Sequence, residues 1–175
     1  MKILLLKFRN IGDVLLSTPL VNNLRHHYPN AQIDFCVNKE TEAMLTLNPN
    51  LNKIITYDRI AIKSLTSIKR LWRELQFIRS FKKENYDVVI NLTSGDRGNL
   101  IAWVSNAPTR IGYSNKSWFF RKSLTHELPK QELRHTVDAS LDPLRLLNIP
   151  ISNKSVEIFW NSKDEQAIYS ELTNI

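Results

Sequence analysis

The sequence is poor in cysteine and glycine, and it has no long hydrophobic run. Its single cysteine, Cys36, excludes an internal disulfide bond and a zinc site built from several cysteines. No apolar segment reaches the roughly 18 residues that a membrane-spanning helix needs, and the opening run, Ile3–Leu6, is too short for the core of a signal peptide. The length of 175 residues fits one domain with a sizeable core, which we predict to be cytoplasmic.

Positive charge is what the sequence has in excess. It contains 24 Lys and Arg residues against 17 Asp and Glu residues, which gives a net charge of +7. Such an excess favours an anionic partner: a nucleic acid, a phosphorylated ligand or an acidic membrane surface. The aromatic residues are spaced like core residues and show no RNA-recognition motif, so we expect no nucleic acid partner. The four histidines are dispersed and lack metal-ligand spacing, so we expect no metal site.

Short apolar runs alternate with longer helical stretches along the chain. The first and fourth runs are almost continuously apolar, which is typical of strands buried on both faces of a parallel sheet. The predicted strands are Lys2–Phe8, Gln32–Val37, Lys53–Tyr57, Asp87–Asn91, Arg110–Tyr113 and Ser155–Trp160. The predicted helices are Asp13–Tyr28, Glu40–Leu47, Ala61–Lys83, Arg97–Ser105, His135–Leu147 and Lys163–Thr173. This alternation predicts an α/β fold with a Rossmann-like, doubly wound and mostly parallel sheet.

Three of the four glycines follow the two strands that such a fold places side by side. Gly12 follows the first strand, and Gly95 and Gly98 follow the fourth. The strand order reverses between these two strands, and ligands usually bind at that switch point. The glycines could equally mark ordinary turns between strands and helices. The GxGxxG and GK[ST] motifs are absent, so neither dinucleotide binding nor a P-loop is supported.

Two charged residues could bring chemistry to this crevice. Asp13 could act as a general base on a hydroxyl, or it could simply cap the helix that starts there. Arg97 could bind a phosphate or carboxylate in a bidentate manner, or it could form a salt bridge to Asp96 or another acid.

The positive charge is concentrated in one segment. Arg59–Lys83 holds eight basic residues and one acid, Glu74, so the rest of the chain is balanced. The apolar residues of this segment recur at helical spacing, at Leu65, Ile68, Trp72, Leu75 and Ile78. A helix with an apolar face and a basic face can attract phosphates or anionic lipid, although many charge runs are only solvated helix faces.

Several blocks of the sequence resemble one family of enzymes. The opening KILLLKFRNIGDVLLSTPLVNNLRHHYPNAQIDFCV is similar to the N-terminal signature of the ADP-heptose:lipopolysaccharide heptosyltransferases, glycosyltransferase family 9. The blocks NYDVVINLTSGDRGNLIAW, TRIGY and KSLTHELPKQELRHTVDASLDPLRLLNIP resemble the heptosyltransferase III branch. The resemblance covers nearly the whole chain, and GDVLLSTP is its most specific part.

The resemblance implies two Rossmann-like domains that face each other across a cleft, the GT-B architecture. The family's N-terminal domain binds the lipopolysaccharide inner core, and its C-terminal domain binds ADP-heptose, so no cofactor is implied. The family is inverting and metal-independent, and the aspartate of its GD motif, here Asp13, is the base. The implied acceptor-binding residues are Lys7, Arg9, Asn10, Gly12, Thr18, Arg59, Lys63 and Arg97. A peripheral position at the inner face of the cytoplasmic membrane is also implied.

The length of the chain departs from the family, whose members are about twice this size on domain arithmetic. We therefore expect residues 1–160 to form an acceptor-binding domain. Residues 161–175 form either a C-terminal tail or a connector helix toward a missing donor-binding domain, and the resemblance favours the connector. Such a piece is expected to be inactive alone. Two rival hypotheses are a non-catalytic basic module that binds anionic membrane or phosphorylated ligands, and a flavodoxin-like nucleotide switch.

Overall fold

A single six-stranded parallel sheet organises the part of the chain that the structure describes. The structure, a computed structural model, describes residues 1–113, 123–129, 134–162 and 164–166. The strands are β1 (Lys2–Lys7), β2 (Gln32–Asn38), β3 (Lys53–Tyr57), β4 (Val88–Asn91), β5 (Thr109–Tyr113) and β6 (His126–Leu128). Their order is β3-β2-β1-β4-β5-β6, and each neighbouring pair is parallel. This confirms the predicted Rossmann-like α/β fold, with the order reversing between β1 and β4.

Alternating side chains of β1 build the two hydrophobic layers. Ile3 and Leu5 point into a core on one face of the sheet, whereas Leu4 and Leu6 point into a core on the other. All four side chains are at most 1% exposed. Burial on both faces explains why the sequence of this strand is almost continuously apolar.

The helices following β1 and β2 differ from their predicted bounds. The predicted helix Asp13–Tyr28 is two helices, α1 (Ile11–Leu15) and α2 (Thr18–His27), because Pro19 lacks an N–H and fits only the first turn of a new helix. Ser17 occupies the N-cap position of α2. The predicted helix Glu40–Leu47 is a short 3₁₀ helix, Lys39–Met44.

The long predicted helix Ala61–Lys83 is also divided. It consists of α3 (Arg59–Lys63), α4 (Ser67–Ser80) and a 3₁₀ helix, Phe81–Glu84. Asp58 caps α3 by accepting a hydrogen bond from the Ala61 N–H at 2.8 Å, so the helix begins earlier than predicted. The extended backbone of Thr66 separates α3 from α4.

The remaining helices lie after β4 and β6. Helix α5 (Asp96–Val104) agrees with the prediction to within one residue at each end. The predicted helix His135–Leu147 is divided into α6 (Thr136–Ser140) and α7 (Asp142–Leu146), since Pro143 lies in the first turn of a second helix.

The predicted sixth strand, Ser155–Trp160, is wrong. This segment has no regular secondary structure, and β6 lies instead at His126–Leu128. The segment packs along α2, away from either edge of the sheet: the Glu157 N–H donates to the Thr18 hydroxyl at 3.1 Å. The backbone N–H and C=O groups of a strand need hydrogen-bond partners on a neighbouring strand. Here the Glu157 N–H finds a side-chain hydroxyl instead. Most of the predicted helix Lys163–Thr173 lies outside the described residues.

Candidate functional site

The loops after β1 and β4 are joined at the edge of the sheet where parallel strands end. The Phe8 N–H donates to the Thr93 hydroxyl at 2.9 Å, and the Arg9 guanidinium donates to the Ser94 hydroxyl at 2.7 Å. These two bonds hold the loops on either side of the predicted switch-point crevice against each other, although the loops lie 85 positions apart in the sequence.

Asp13 lies in the first turn of α1, at the mouth of this crevice. The N-cap position belongs to Asn10, so Asp13 is not the capping residue that the simpler interpretation required. Its side chain is partly exposed. Among the described residues, no hydrogen bond or ion pair involves its carboxylate. The carboxylate is therefore accessible to a hydroxyl that approaches from solvent, as a general base must be.

A cavity of about 380 Å³ opens beside this turn. Four of the predicted site residues line it: Arg9, Asn10, Gly12 and Arg59. Sequence reasoning missed the other lining side chains, which are Ile11, Asn38, Glu40 and Thr41. The two arginines come from the β1 loop and from α3, so the fold brings together cations that are far apart in sequence. A pair of guanidinium groups suits a phosphate or carboxylate ligand.

Asn38 is the least expected of these lining residues. It ends β2 and is only 8% exposed, and its amide donates to the Arg9 carbonyl at 3.5 Å. Its Oδ1 has no hydrogen-bond partner among the described residues. The sequence did offer a signal for Asn38, which is a polar residue at the end of an apolar strand. Ligands of a parallel sheet bind beyond the carboxyl ends of its strands, where such a residue lies.

Lys7 lies beneath the crevice and is unusual in its burial. Its side chain ends β1 and is 3% exposed, and its ammonium donates to the Leu92 carbonyl at 3.3 Å. Burial lowers the pKa of Lys7, while the nearby Asp13 carboxylate opposes that shift and Arg9 adds to it. The lysine thus places a positive charge close to Asp13, although its ammonium group loses solvation on burial.

We expect Lys7→Met to stabilise the fold and to change its pH dependence. Methionine fills a similar volume without a buried charge, so the free energy of unfolding near neutral pH should rise by about 1 kcal/mol. Because the folded-state pKa of Lys7 lies below its ordinary value of 10.5, the unfolded wild type retains this proton to higher pH. The stability of the wild type should therefore rise relative to the variant as the pH climbs toward about 10.5. Urea unfolding at neutral and alkaline pH measures the difference in the free energy of unfolding between Lys7→Met and the wild type. A difference that did not shrink at alkaline pH would refute this electrostatic account.

Arg97 forms an intramolecular ion pair. Its guanidinium donates to Glu74 at 2.9 Å and to the Tyr57 hydroxyl at 2.9 Å, and it stacks on the Tyr57 ring at 4.1 Å. The Tyr57 hydroxyl donates to the same carboxylate. Burial, followed by this bond, raises the pKa of Tyr57 to about 12, so the hydroxyl stays protonated at physiological pH. The salt-bridge alternative for Arg97 is the arrangement observed, with Glu74 rather than Asp96 as its partner.

Two further predicted site residues do not line the cavity. The Thr18 hydroxyl is buried, donates to the Leu15 carbonyl at 2.9 Å and accepts from Glu157, so it stabilises the junction of α1 and α2. Lys63 is exposed at the end of α3. Contact of an acceptor with any of the predicted acceptor-binding residues, including those that line the cavity, stays a prediction.

A buried amide network fixes the loop after β4. Asn91 donates to the Asn99 side chain at 2.9 Å and accepts from the Thr93 N–H at 3.0 Å, and Asn99 donates to the Tyr113 carbonyl at 3.2 Å. Gly98 packs against this network: a Cβ atom there would lie 2.2 Å from the Asn91 side chain. This glycine is therefore needed for packing, which the sequence alone did not distinguish from a ligand contact.

The described residues add two observations about other possible functions. They include no group of three or more His, Cys, Asp or Glu side chains arranged to hold a metal ion. They also include no helix that is long and apolar enough to cross a membrane.

Comparison with known proteins identifies relatives of this chain. No family model matches the sequence. Lipopolysaccharide heptosyltransferase 3 of Escherichia coli strain K12 is 32% identical in an alignment of 143 residues that covers 79% of this chain. The chain spans 40% of the length of that curated relative.

Two solved structures share the fold. A family 9 glycosyl transferase from Veillonella parvula superposes with a TM-score of 0.81 at 24% identity, over 98% of this chain and 49% of that one. The Escherichia coli heptosyltransferase WaaC, solved with ADP-2-deoxy-2-fluoro heptose, gives a TM-score of 0.73 at 15% identity, over 90% of this chain and 51% of that one. These two structures show the same fold, and the sequence match confirms the resemblance: the chain is homologous to the lipopolysaccharide heptosyltransferases.

Proposed function

We propose that this chain is the acceptor-binding, N-terminal half of an inverting GT-B glycosyltransferase that moves heptose from ADP-heptose to the lipopolysaccharide inner core. The observation that carries the proposal is the position of Asp13, which directly follows Gly12 in the wall of a cavity that Arg9 and Arg59 also line. Its carboxylate has no hydrogen-bond or ion-pair partner among the described residues. That combination suits a sugar acceptor that bears phosphate. The relative from Escherichia coli strain K12 is named a lipopolysaccharide heptosyltransferase, which supports this choice of acceptor.

In the proposed mechanism, Asp13 acts as the general base. It accepts the proton of an acceptor hydroxyl while the hydroxyl oxygen bonds to the anomeric carbon of the donor heptose. The bond from that carbon to the ADP oxygen breaks on the opposite face, and its electron pair leaves with ADP. The buried ammonium of Lys7 places a positive charge near the Asp13 carboxylate, and the two charges attract each other.

The donor is proposed to bind mainly outside this chain. Residues 1–160 would form the acceptor domain, and residues 161–175 would connect it to a donor-binding domain. The share of the relatives that this chain covers supports that division. Transfer requires both substrates held in attack geometry, so the 175-residue piece should not catalyse it alone. ADP-heptose is a substrate, and no cofactor is proposed.

Arg9→Ala and Arg59→Ala are each expected to weaken binding of a phosphorylated inner-core oligosaccharide by about tenfold, since a charge-assisted hydrogen bond is worth about 1.5–3 kcal/mol. Isothermal titration calorimetry with the soluble oligosaccharide measures the dissociation constant. Lys83→Ala is the matched control, because it removes the same charge from an exposed position away from the cavity. Equal loss in all three variants would mean that net charge, not the cavity, binds the sugar.

A non-catalytic module is the second candidate function, and the basic segment Arg59–Lys83 favours it. Such a module would bind any anionic surface regardless of its sugar. The proposed enzyme half would in addition bind the soluble phosphorylated oligosaccharide more tightly than the dephosphorylated sugar or free phosphate. The same titration with those two ligands therefore distinguishes the two candidates. We place the protein in the cytoplasm, peripheral to the inner face of the cytoplasmic membrane, where the proposed acceptor is anchored.

A further inference from the structure

Helix α4 carries an apolar stripe that faces solvent. Ile68, Leu71, Trp72 and Leu75 recur at helical spacing and are 75%, 60%, 67% and 37% exposed, and Ile78 is the helix's only buried residue. An amphipathic helix normally buries such a stripe against the core. Here the side that packs on the protein carries Glu74, Phe77 and Ile78 instead.

A groove between α4 and α5 continues this stripe. It has a volume of about 470 Å³, and its apolar walls include Leu75, Leu100 and Trp103. Arg79 and Lys82 lie at the same groove. We use "α4 patch" for Ile68, Leu71, Trp72, Leu75 and Trp103, which together form an exposed apolar surface with cations beside it.

The charge around the α4 patch has one sign. Six exposed basic residues lie on α4 and the 3₁₀ helix that follows, and no ion pair involves any of them among the described residues: Lys69, Arg70, Arg73, Arg79, Lys82 and Lys83. Both acids of these two helices are paired: Glu74 with Arg97 on the inner side of α4, and Glu84 with Lys2. An occupant of the patch must therefore offer both apolar surface and negative charge.

We propose that the α4 patch inserts into the headgroup region of an anionic phospholipid membrane. Tryptophan side chains prefer the membrane interface, and long basic side chains reach from there to lipid phosphates. A second copy of the chain fits less well, because a symmetric contact would set the six cations of each copy against those of the other. Lysine is also depleted in protein–protein interfaces.

The topology places this surface next to the site. Helices that cross between parallel strands run antiparallel to them, so the first turns of α4 lie at the edge where β1 and β4 end. Docking through Ile68, Leu71 and Trp72 would hold the Asp13 crevice near the lipid surface. The inference thus deepens the proposed function, on which it rests for the kind of membrane involved, by naming the contact surface.

Vesicle flotation of the 175-residue chain tests this inference. The chain should bind vesicles of phosphatidylglycerol and phosphatidylethanolamine, and not vesicles of phosphatidylcholine alone. Trp72→Ser should weaken partitioning by about tenfold or more, since apolar insertion and lipid charge both contribute to binding. Trp160→Ser is the matched control, because Trp160 is 63% exposed but lies on the C-terminal segment outside the patch, and it should change partitioning less than about twofold.

Three results would overturn the inference: no binding to anionic vesicles, equal losses in the two variants, or a dimer in sedimentation experiments that Trp72→Ser dissociates without any vesicle binding. Failure of the proposed function would look different. The wild type would bind vesicles but not the soluble inner-core oligosaccharide. Conversely, Trp72→Ser should bind that oligosaccharide as the wild type does.

Discussion

Asp13→Asn is expected to lower the turnover of the two-domain enzyme by about a hundredfold or more while leaving acceptor binding nearly intact. Asparagine keeps the size of the side chain but cannot take the proton of the attacking hydroxyl. The fold should not change, since no hydrogen bond among the described residues depends on the Asp13 carboxylate. Steady-state kinetics with ADP-heptose, together with an acceptor titration, measures the two effects separately.

Asp96→Asn is the control for this experiment. Asp96 lies in the first turn of α5, at the same edge of the sheet, so it tests loss of a carboxylate in a similar position. The turnover of the Asp96→Asn variant should stay within a few-fold of that of the wild type. If Asp13→Asn retained near-normal turnover, or if both variants lost activity equally, Asp13 would not be the base.

Gly98→Ala is expected to lower the free energy of unfolding by about 1–3 kcal/mol, which is a large part of a domain's stability. The new Cβ atom would lie within 2.4 Å of three side-chain atoms of Asn91. Asn91 cannot move without breaking its buried hydrogen bonds to Asn99 and the Thr93 N–H. Urea unfolding monitored by circular dichroism measures the change, which should appear in the midpoint rather than in the slope.

Gly12→Ala provides a matched comparison within the same fold. Gly12 is also helical, neither glycine has a positive φ, and a Cβ atom at Gly12 meets nothing within 4 Å. The free energy of unfolding of Gly12→Ala should therefore stay unchanged or rise by up to about 1 kcal/mol through helix propensity. If the two variants were equally stable, the contact between Gly98 and Asn91 would not limit the packing.

The sheet could be predicted from the sequence because its signals are strong and local. Burial of β1 and β4 on both faces requires continuous apolar runs, and the alternation of strands with helices restricts the topology to a few arrangements. The neighbouring positions of β1 and β4 followed from those rules. The cavity beside α1, however, is lined by residues from the ends of β1, β2 and β3 and by none that follows β4. The same rules predict that Gly12 and Asp13 lie just after the carboxyl end of β1.

Element boundaries and tertiary pairings could not be predicted in the same way. The division between α1 and α2 depends on the position of Pro19 within its turn, and the periodicity of the flanking residues conceals it. The segment Ser155–Trp160 has a strand-like composition, but its backbone meets Thr18 rather than a strand. Composition does not reveal which neighbour a segment will find.

The candidate site shows the same limit. Arg97 was recognised as a cation near the crevice, but its partner Glu74 lies 23 residues away and was noted only as the single acid of a basic segment. That isolation was a usable signal, because one acid among many bases is a natural ion-pair partner. The cavity residues Asn38 and Thr41 gave a weaker signal, since polar residues after a strand are common in ordinary turns.

The central claim of the proposed function is that this chain binds the acceptor rather than the donor. Titration of the isotope-labelled chain, by NMR, with a phosphorylated inner-core oligosaccharide and separately with ADP tests it most directly. We predict chemical-shift changes with the oligosaccharide at Arg9, Gly12, Asp13 and Arg59, and none with ADP. Tight binding of ADP at these residues, with no response to the oligosaccharide, would contradict the account.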